Sequence, residues 1–232
     1  MVQKKIDYNK IKYIFFDFDG VIVDTEKIHI DSFNEVLNKY NISITKKEYF
    51  DKYLSYDDKR CFQEVFLVKL NKKLSGSEIK LLINKKTKIL MKKIKHKLIV
   101  YPDTLKFINF IKENFPKIKF CIVSGALREE IVYILNKLKI KKYFSFIISA
   151  EDVKKGKPDP EPFIKARKMA QKNLSKKLNK KEVIVIEDSV NGIKSAKKLG
   201  FIVVAVAHSY AINILKKIHN VLVIKKLTEL CY

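Results

Sequence analysis

The chain has 232 residues, 47% of them hydrophobic, which is enough to bury a sizeable core and argues against intrinsic disorder. No apolar run reaches the roughly 18–20 residues of a membrane span, and no export signal is apparent. The three cysteines, Cys61, Cys121 and Cys231, fit neither a disulfide framework nor a zinc site. We therefore expect a cytoplasmic protein without a membrane partner. The net charge is +24, but only three of the 49 basic residues are arginines, the side chain that specific phosphate and base readers favour, so no specific nucleic-acid partner is predicted.

The first predicted strand, residues 13–17, is an apolar run that leads into the sequence Asp17-Phe18-Asp19-Gly20. On an extended segment alternate side chains share a direction, so Asp17 and Asp19 are predicted to face one reacting group. Gly20 allows the chain to turn away tightly. In open α/β sheets ligands bind beyond the carboxyl ends of the strands, which makes this pair a candidate catalytic site.

Residues 26–96 show helical periodicity and no convincing strand. Three or four consecutive helices are predicted there, with apolar stripes such as Phe33, Val36 and Leu37. Because this stretch interrupts an alternation of strands and helices, we interpret it as an inserted small all-helical cap domain. The predicted catalytic core then comprises residues 1–25 and 97–232.

After the insert, short apolar runs again alternate with helical patterns. The further predicted strands are residues 119–123, 146–149, 183–187, 202–207 and 221–224. Strands that alternate with helices indicate a parallel sheet with helices on its faces, so the fold class is α/β with a Rossmann-like core.

Three later segments place polar residues where they can complete a site with Asp17 and Asp19. Ser124 follows the strand at 119–123, and its hydroxyl and the next backbone N–H groups suit an anionic oxygen. The segment 154–162 contains Gly156 and three alternating prolines, which hold Lys157 on a rigid loop.

Glu187 and Asp188 end the strand at 183–187 and precede a helix; as an alternative, Asp188 or Ser189 is simply the helix N-cap. Carboxylates from two strand ends can hold Mg²⁺, which prefers oxygen ligands. A serine and a lysine can bind the remaining oxygens of a phosphoryl group, and phosphoryl transfer needs little more than a positioned nucleophile and neutralised charge.

The order D-x-D-G-V, Ser, G-K-P and E-D, each at a predicted strand end, resembles the haloacid dehalogenase superfamily of phosphatases and phosphomutases. The similarity covers essentially the whole chain, and the helical insert resembles the cap of the subfamily that includes phosphoglycolate phosphatases and β-phosphoglucomutases. By this resemblance Asp17 is the nucleophile that forms an aspartyl-phosphate, and Asp19 is the general acid and base. Because Asp19 is present, phosphoryl chemistry is implied and not dehalogenation.

The resemblance also implies the binding residues. Ser124, with Gly125, and Lys157 bind the phosphoryl oxygens, while Mg²⁺ is held by Asp17, the backbone carbonyl of Asp19 and Asp188. Glu187 is an additional or water-mediated ligand.

Two further residues are candidate substrate-binding positions. His29 falls where the mutases have a histidine near the start of the cap, or is a polar residue on an exposed helix face. Arg128, just beyond Ser124, meets a substrate carboxylate or hydroxyl, or is an exposed residue in the first turn of a helix.

A mutase binds a second phosphate, for which β-phosphoglucomutases use a Lys-Gly-x-Ser-Arg loop in the cap. The corresponding segment here is Leu54-Ser55-Tyr56-Asp57-Asp58, whose two acids are expected to repel a phosphate, although Lys59 and Arg60 follow closely. We therefore predict a Mg²⁺-dependent phosphomonoesterase for a small phosphorylated metabolite, as a monomer or weak homo-oligomer. The alternatives are a sugar phosphomutase and a catalytically idle protein of this fold that binds polyanions.

Overall fold

In the computed structural model, which describes residues 6–54 and 56–232, the chain divides into two compact units. The helical unit is Asp24–Ile99, and the α/β unit comprises the residues up to Val23 together with Val100–Tyr232. The sequence predicts residues 26–96 for the insert, so the observed division lies slightly further out at both ends.

The described part of the chain contains the strands β1 (Tyr13–Phe16), β2 (Val23–Asp24), β3 (Ile99–Val100), β4 (Lys119–Val123), β5 (Phe144–Ile148), β6 (Val183–Glu187), β7 (Ile202–Val206) and β8 (Leu222–Ile224). Six of them form a parallel sheet in the order β5-β4-β1-β6-β7-β8, which confirms the predicted α/β class. β2 and β3 pair separately, where the chain passes from one unit to the other and back.

The α-helices of the described residues are α1 (Glu26–Leu37), α2 (Lys46–Glu48), α3 (Asp58–Leu70), α4 (Gly76–His96), α5 (Pro102–Asn114), α6 (Arg128–Lys137), α7 (Glu161–Leu174), α8 (Val190–Lys197) and α9 (Ile212–Leu215). None of them is both long and apolar enough to cross a lipid bilayer.

The central strand β1 explains the position of the catalytic candidates. All four of its residues are fully buried, since both faces of a parallel sheet are covered. Phe16 is in register with Ile122 of β4 and Ile186 of β6. Asp17 continues this ladder through its N–H, which donates to the Ile186 carbonyl at 2.9 Å. The residues that follow β1, β4 and β6 therefore lie side by side at one edge of the sheet.

Some predicted strand limits are wrong by one or two residues. β1 ends at Phe16 and β7 at Val206, each one residue earlier than predicted, and β8 begins one residue later. β5 begins two residues earlier than predicted, at Phe144, which pairs with Phe120 before the register shifts to Cys121–Phe146. Pairing between strands that are distant in sequence sets these limits, and apolar runs alone do not report it.

The helical unit has its own hydrophobic core. Residues of α1, α3 and α4 supply most of it, among them Phe33, Phe62 and Leu82. The rings of Phe33 and Phe62 meet edge to face with centroids 5.0 Å apart. Its longest helix, α4, begins with a capping box in which Ser75 and Glu78 satisfy each other's backbone N–H groups.

Candidate active site

Three carboxylates meet at the carboxyl edge of the sheet. Asp17 follows β1, Glu187 is the last residue of β6, and Asp188 is next. One carboxylate oxygen from each lies within 4.8 Å of the other two. Glu187 is completely buried and Asp188 nearly so. Ser189, not Asp188, caps α8 through its hydroxyl, which accepts from the Gly192 N–H at 3.0 Å. Asp188 is therefore not needed as the cap.

Lys157 brings a single positive charge into this cluster. Its ammonium lies 3.0 Å from Asp17 Oδ1 and 2.5 Å from Glu187 Oε1, and it donates to the Val123 carbonyl at 2.8 Å. These three partners stand at the ends of β1, β6 and β4. One side chain thus joins the three adjacent strand ends that carry the predicted site.

The loop that carries Lys157 is held by more than its prolines. The Glu161 carboxylate accepts the backbone N–H groups of Lys154 and Lys155 at 3.0 and 2.9 Å. The Ser195 hydroxyl donates to the Asp159 carbonyl at 2.6 Å. Lys157 is therefore positioned by backbone contacts on both sides of it.

Ser124 and Gly125 form the side of the site that follows β4. Ser124 continues the sheet through its N–H, which donates to the Ile148 carbonyl at 2.9 Å, and its hydroxyl accepts from the Ala126 N–H at 3.0 Å. Among the described residues, and apart from Gly125 and its two chain neighbours, no atom lies within 4 Å of the place where a Cβ on Gly125 would stand. The turn is open on this side, as an approaching anionic oxygen requires.

The charges of the cluster do not balance. Burial first, and then the charge of Glu187, raise the pKa of Asp17 well above its ordinary value, although Lys157 and the Phe18 N–H act in the opposite direction. Burial opposes the charge on Lys157, but the Asp17 and Glu187 carboxylates outweigh it and raise its pKa. Three carboxylates with one ammonium leave an excess of negative charge in a buried place.

This donor set fits a hard divalent cation. Mg²⁺ takes oxygen ligands and usually one or two carboxylates, and the excess negative charge is of the sign that a cation relieves. Asp17 and Asp188 are the direct candidates, with Glu187 already bound to Lys157 and to the Ser189 hydroxyl at 3.0 Å. The residues present therefore fit the metal that the sequence predicts.

Two glycines let the backbone come close to these acids. Gly20 has φ +73°, and a Cβ on it would lie 1.8 Å from Asp188 Oδ2. A Cβ on Gly192, in the first turn of α8, would lie about 2.0 Å from the Glu187 carboxylate. The sequence predicts Gly20 as a turn residue, whereas no functional role of Gly192 was predicted from it.

The predicted general acid Asp19 follows Asp17 in the loop after β1, where its backbone pairs with Val23. The buried Glu130, in the first turn of α6, has a carboxylate oxygen within 4.8 Å of one of Asp19. Glu130 was not predicted as a site residue; its signal in the sequence is weak, because glutamates are common in the first turn of helices.

Arg128 contacts protein groups. Its guanidinium donates to the Ile147 carbonyl at 3.1 Å and forms an ion pair with Asp152. Its backbone N–H donates to the Glu151 carboxylate at 2.9 Å. Arg128 thus ties α6 to the end of β5, and its contact with substrate stays a prediction.

His29 lies on α1 in the helical unit. Its Nδ1 is 2.7 Å from the ammonium of Lys86, which donates to it and also to Asp58 Oδ1 at 2.8 Å. Lys86 is buried although it is charged, and neither it nor this pairing was predicted. A role of His29 in substrate binding likewise stays a prediction.

The segment that replaces the mutase loop has structural partners for its acids. Asp57 is the N-cap of α3 and accepts the Arg60 N–H at 2.8 Å, while Asp58 forms the ion pair with Lys86. Ser55 lies outside the described residues. The charge of Asp58 is neutralised inside the helical unit, so the expected repulsion of a second phosphate is weaker than the sequence suggests.

Comparison with known proteins indicates the family of the chain. A family model described as haloacid dehalogenase-like hydrolase matches residues 14–206. The chain is 26% identical over 189 residues, 81% of each protein, to a phosphorylated carbohydrates phosphatase of Thermotoga maritima. It is 24% identical over 221 residues, 95% of each, to a pyrophosphatase of Oceanobacillus iheyensis.

Among solved structures, the chain is similar to a β-phosphoglucomutase from Clostridium difficile, with a TM-score of 0.78, 27% identity, and 94% of this chain and 92% of that chain covered. The match to the family model spans most of the chain, including the ends of β1, β4 and β6. The chain therefore belongs to the haloacid dehalogenase-like hydrolase family, in the branch of the phosphatases and β-phosphoglucomutases.

Proposed function

We propose that this HAD-like phosphatase is a Mg²⁺-dependent phosphomonoesterase that hydrolyses a small phosphorylated metabolite through an aspartyl-phosphate on Asp17. The observation that carries the proposal is the Lys157 ammonium, held between Asp17, Glu187 and the end of β4, with Asp188 beside them. The name of the relative from Thermotoga maritima supports a phosphorylated carbohydrate as the class of substrate.

The first step is attack by Asp17. Its Oδ1 accepts the Phe18 N–H at 2.7 Å and faces Lys157, and these contacts fix the plane of the carboxylate so that its other oxygen is available to attack phosphorus. The bond from Asp17 to phosphorus forms while the bond from phosphorus to the leaving oxygen breaks, and Asp19 gives that oxygen its proton.

In the second step Asp19 acts as a base instead of an acid. Asp19, now ionised, takes a proton from a water molecule that attacks phosphorus, and Asp17 is released with inorganic phosphate. Lys157, the Ser124 hydroxyl and the Gly125 N–H bind the phosphoryl oxygens. When bound, Mg²⁺ supplies further positive charge for those oxygens.

Turnover of p-nitrophenyl phosphate tests the proposal. We expect Asp17→Asn to abolish activity and EDTA to remove it reversibly, whereas Asp51→Asn, an exposed aspartate of the helical unit, serves as the matched control and keeps activity. Activity that survives either Asp17→Asn or EDTA would contradict the mechanism.

The role of Asp19 as proton donor is tested by comparing substrates whose leaving groups need a proton to different degrees. Asp19→Asn is expected to lower the turnover of an alkyl phosphate roughly 10²–10⁴-fold, the usual size of general acid–base catalysis. With p-nitrophenol, which leaves without a proton, the rate of phosphorylation in the first turnover should fall much less. Equal losses for both leaving groups would refute proton donation by Asp19.

A sugar phosphomutase is the second candidate function. It is favoured by the pairing of Asp58 with Lys86, which removes one of the charges that would repel a second phosphate, and by the similarity to a β-phosphoglucomutase. Conversion of glucose 1-phosphate to glucose 6-phosphate, measured with and without the hexose bisphosphate, distinguishes the two. A phosphatase releases phosphate without the bisphosphate; bisphosphate-dependent isomerisation faster than phosphate release identifies the mutase.

A further inference from the structure

His208 lies beyond the end of β7 and contacts the loop of the predicted nucleophile. Its Nδ1 is 2.8 Å from the carbonyl oxygen of Gly20, which is 188 residues away in the sequence. The side chain is nearly buried, with 9% of its surface exposed. The motifs described above do not include His208, so its contact with the loop needs an explanation of its own.

The partners of His208 determine its orientation and its tautomer. A carbonyl oxygen only accepts, so Nδ1 carries the hydrogen and donates to Gly20. The ring stacks on Tyr101 with centroids 3.8 Å apart and planes inclined by 11°. Nε2 faces Asp103 Oδ2 at 3.6 Å, and Asp103 is itself held by the Leu227 N–H at 2.7 Å. The donor is therefore fixed in place from two sides.

Gly20 is fixed at both of its peptide groups. Its N–H donates to the Val23 carbonyl at 2.8 Å, and its carbonyl accepts from His208. The N–H of Gly20 belongs to the same planar peptide as the carbonyl of Asp19. Gly20 has φ +73°, and a Cβ on it would lie 1.8 Å from Asp188 Oδ2, so a displacement of its carbonyl moves the loop that lies against that acid.

We propose that His208 is a positioning residue for the cation site: by holding the Gly20 carbonyl, it keeps the loop after β1 against Asp188, a candidate metal ligand. The inference depends on the proposed function, in which Mg²⁺ binds at Asp17 and Asp188. Hydrogen-bond partners that orient metal ligands typically contribute about 10–100-fold in metal affinity.

Three substitutions separate the hydrogen bond from the packing of the ring. His208→Phe keeps the stack on Tyr101 and removes the donor. His208→Asn places an amide N–H near the position of Nδ1 and removes most of the ring. His208→Gln places its amide near the position of Nε2, toward Asp103, and does not restore the donor to Gly20. His219→Phe, at an exposed histidine, is the matched control.

The direct measurement is Mn²⁺ binding to the full-length protein, followed by electron paramagnetic resonance, with the melting temperature measured in EDTA. We expect His208→Phe and His208→Gln to weaken Mn²⁺ binding about 10–100-fold, and His208→Asn to recover affinity to within about threefold of wild type. The control should bind as wild type does. Turnover of p-nitrophenyl phosphate at saturating Mg²⁺ should recover most of its value in His208→Phe.

Two results would overturn the inference while the proposed function stands: wild-type Mn²⁺ affinity in a folded His208→Phe protein, or equally weak binding by His208→Asn and His208→Gln. If His208→Phe does not fold, the comparison of His208→Asn with His208→Gln decides the matter in the same way. Failure of the wild-type protein to bind Mn²⁺ or to hydrolyse any phosphomonoester would instead remove the proposed function and the inference with it.

Discussion

Single residues decide how closely the backbone approaches the acids of the site. Gly192 lies opposite the Glu187 carboxylate, which also binds Lys157 and the Ser189 hydroxyl and so has little freedom to move. Any side chain at position 192 must displace either that carboxylate or the start of α8. The position of the Glu187 carboxylate therefore requires that residue 192 have no Cβ.

We expect Gly192→Ala to destabilise the fold by about 1–3 kcal/mol, the usual cost of overpacking, and to lower turnover at limiting Mg²⁺ by about tenfold or more. Gly76→Ala is the matched control, because α4 begins there and a Cβ at Gly76 meets no atom of the other described residues within 4 Å, outside its own helix turn. That substitution should stabilise the protein by about 0.4–1 kcal/mol and leave turnover unchanged. Urea unfolding and Mg²⁺ titrations of activity measure both, and a Gly192→Ala protein that behaves like Gly76→Ala would contradict the packing argument.

At the scale of elements, an ion pair inside the helical unit joins α3 to α4. Lys86 is 1% exposed and Asp58 20%, so the cation depends on its partner much more than the anion does. The Phe33 ring, 4.8 Å from the ammonium, adds a cation–π contact. Loss of the acid leaves a buried charge, whereas loss of the lysine leaves an acid that water can reach.

Asp58→Ala is therefore expected to cost roughly 3 kcal/mol of unfolding free energy, as for a buried pair that loses one member. Lys86→Met, which keeps an apolar chain of similar length against Phe33, should stay within about 1 kcal/mol of wild type. Urea unfolding of both variants checks the order. If Lys86→Met destabilises the protein more than Asp58→Ala does, the attraction between Lys86 and Asp58 exceeds the free-energy cost of burying the lysine.

The short helix α2 has a charge-dependent cap. The Lys69 ammonium, and after it the Thr45 backbone N–H, lower the pKa of Glu48 from 4.5 to about 2. Since the folded pKa is lower than the unfolded one, this contribution to stability is present above about pH 4.5 and is lost as the pH falls toward 2. The side chain is 41% exposed, so solvent screening keeps the contribution small.

The stability difference between wild type and Glu48→Gln should thus be largest at about pH 7 and shrink steadily between about pH 5 and pH 2. Lys72→Met provides a second test, because Lys72 is the ion-pair partner of Glu78 on α4, whose pKa is also lowered to about 2. The loss of stability caused by Lys72→Met should likewise shrink as the pH falls. Urea unfolding across this pH range makes the comparison. A difference that grows on acidification would show that the carboxylate is not favoured by folding.

At the scale of the whole molecule, the +24 charge is the main competing signal of function. It comes almost entirely from lysines distributed along the chain. Nonspecific attraction to polyanions needs only charge and is screened by salt, whereas the contacts of Lys157 are short and largely buried.

We therefore expect binding to DNA or RNA to be weak, independent of sequence, and lost between about 50 and 200 mM salt. Turnover of p-nitrophenyl phosphate should persist over the same range. Filter binding and phosphate release, measured in the same buffers, test both statements. Tight, sequence-selective retention at about 150 mM salt with no phosphomonoesterase activity would make nucleic acid the ligand.

The sequence by itself determined the α/β class, and it predicted the helical insert and the segments that hold Asp17, Ser124, Lys157 and Asp188. It could do so because apolar runs mark buried strands, and the carboxyl ends of parallel strands share one edge of the sheet.

Only the tertiary structure decided which groups touch. The three contacts of Lys157, the approach of Gly192 to Glu187, the pairing of Lys86 with Asp58 and the hold of His208 on Gly20 leave no periodic pattern in the sequence. Such contacts join residues far apart in the chain, and their distances depend on how strands and helices pack, which local propensity does not encode.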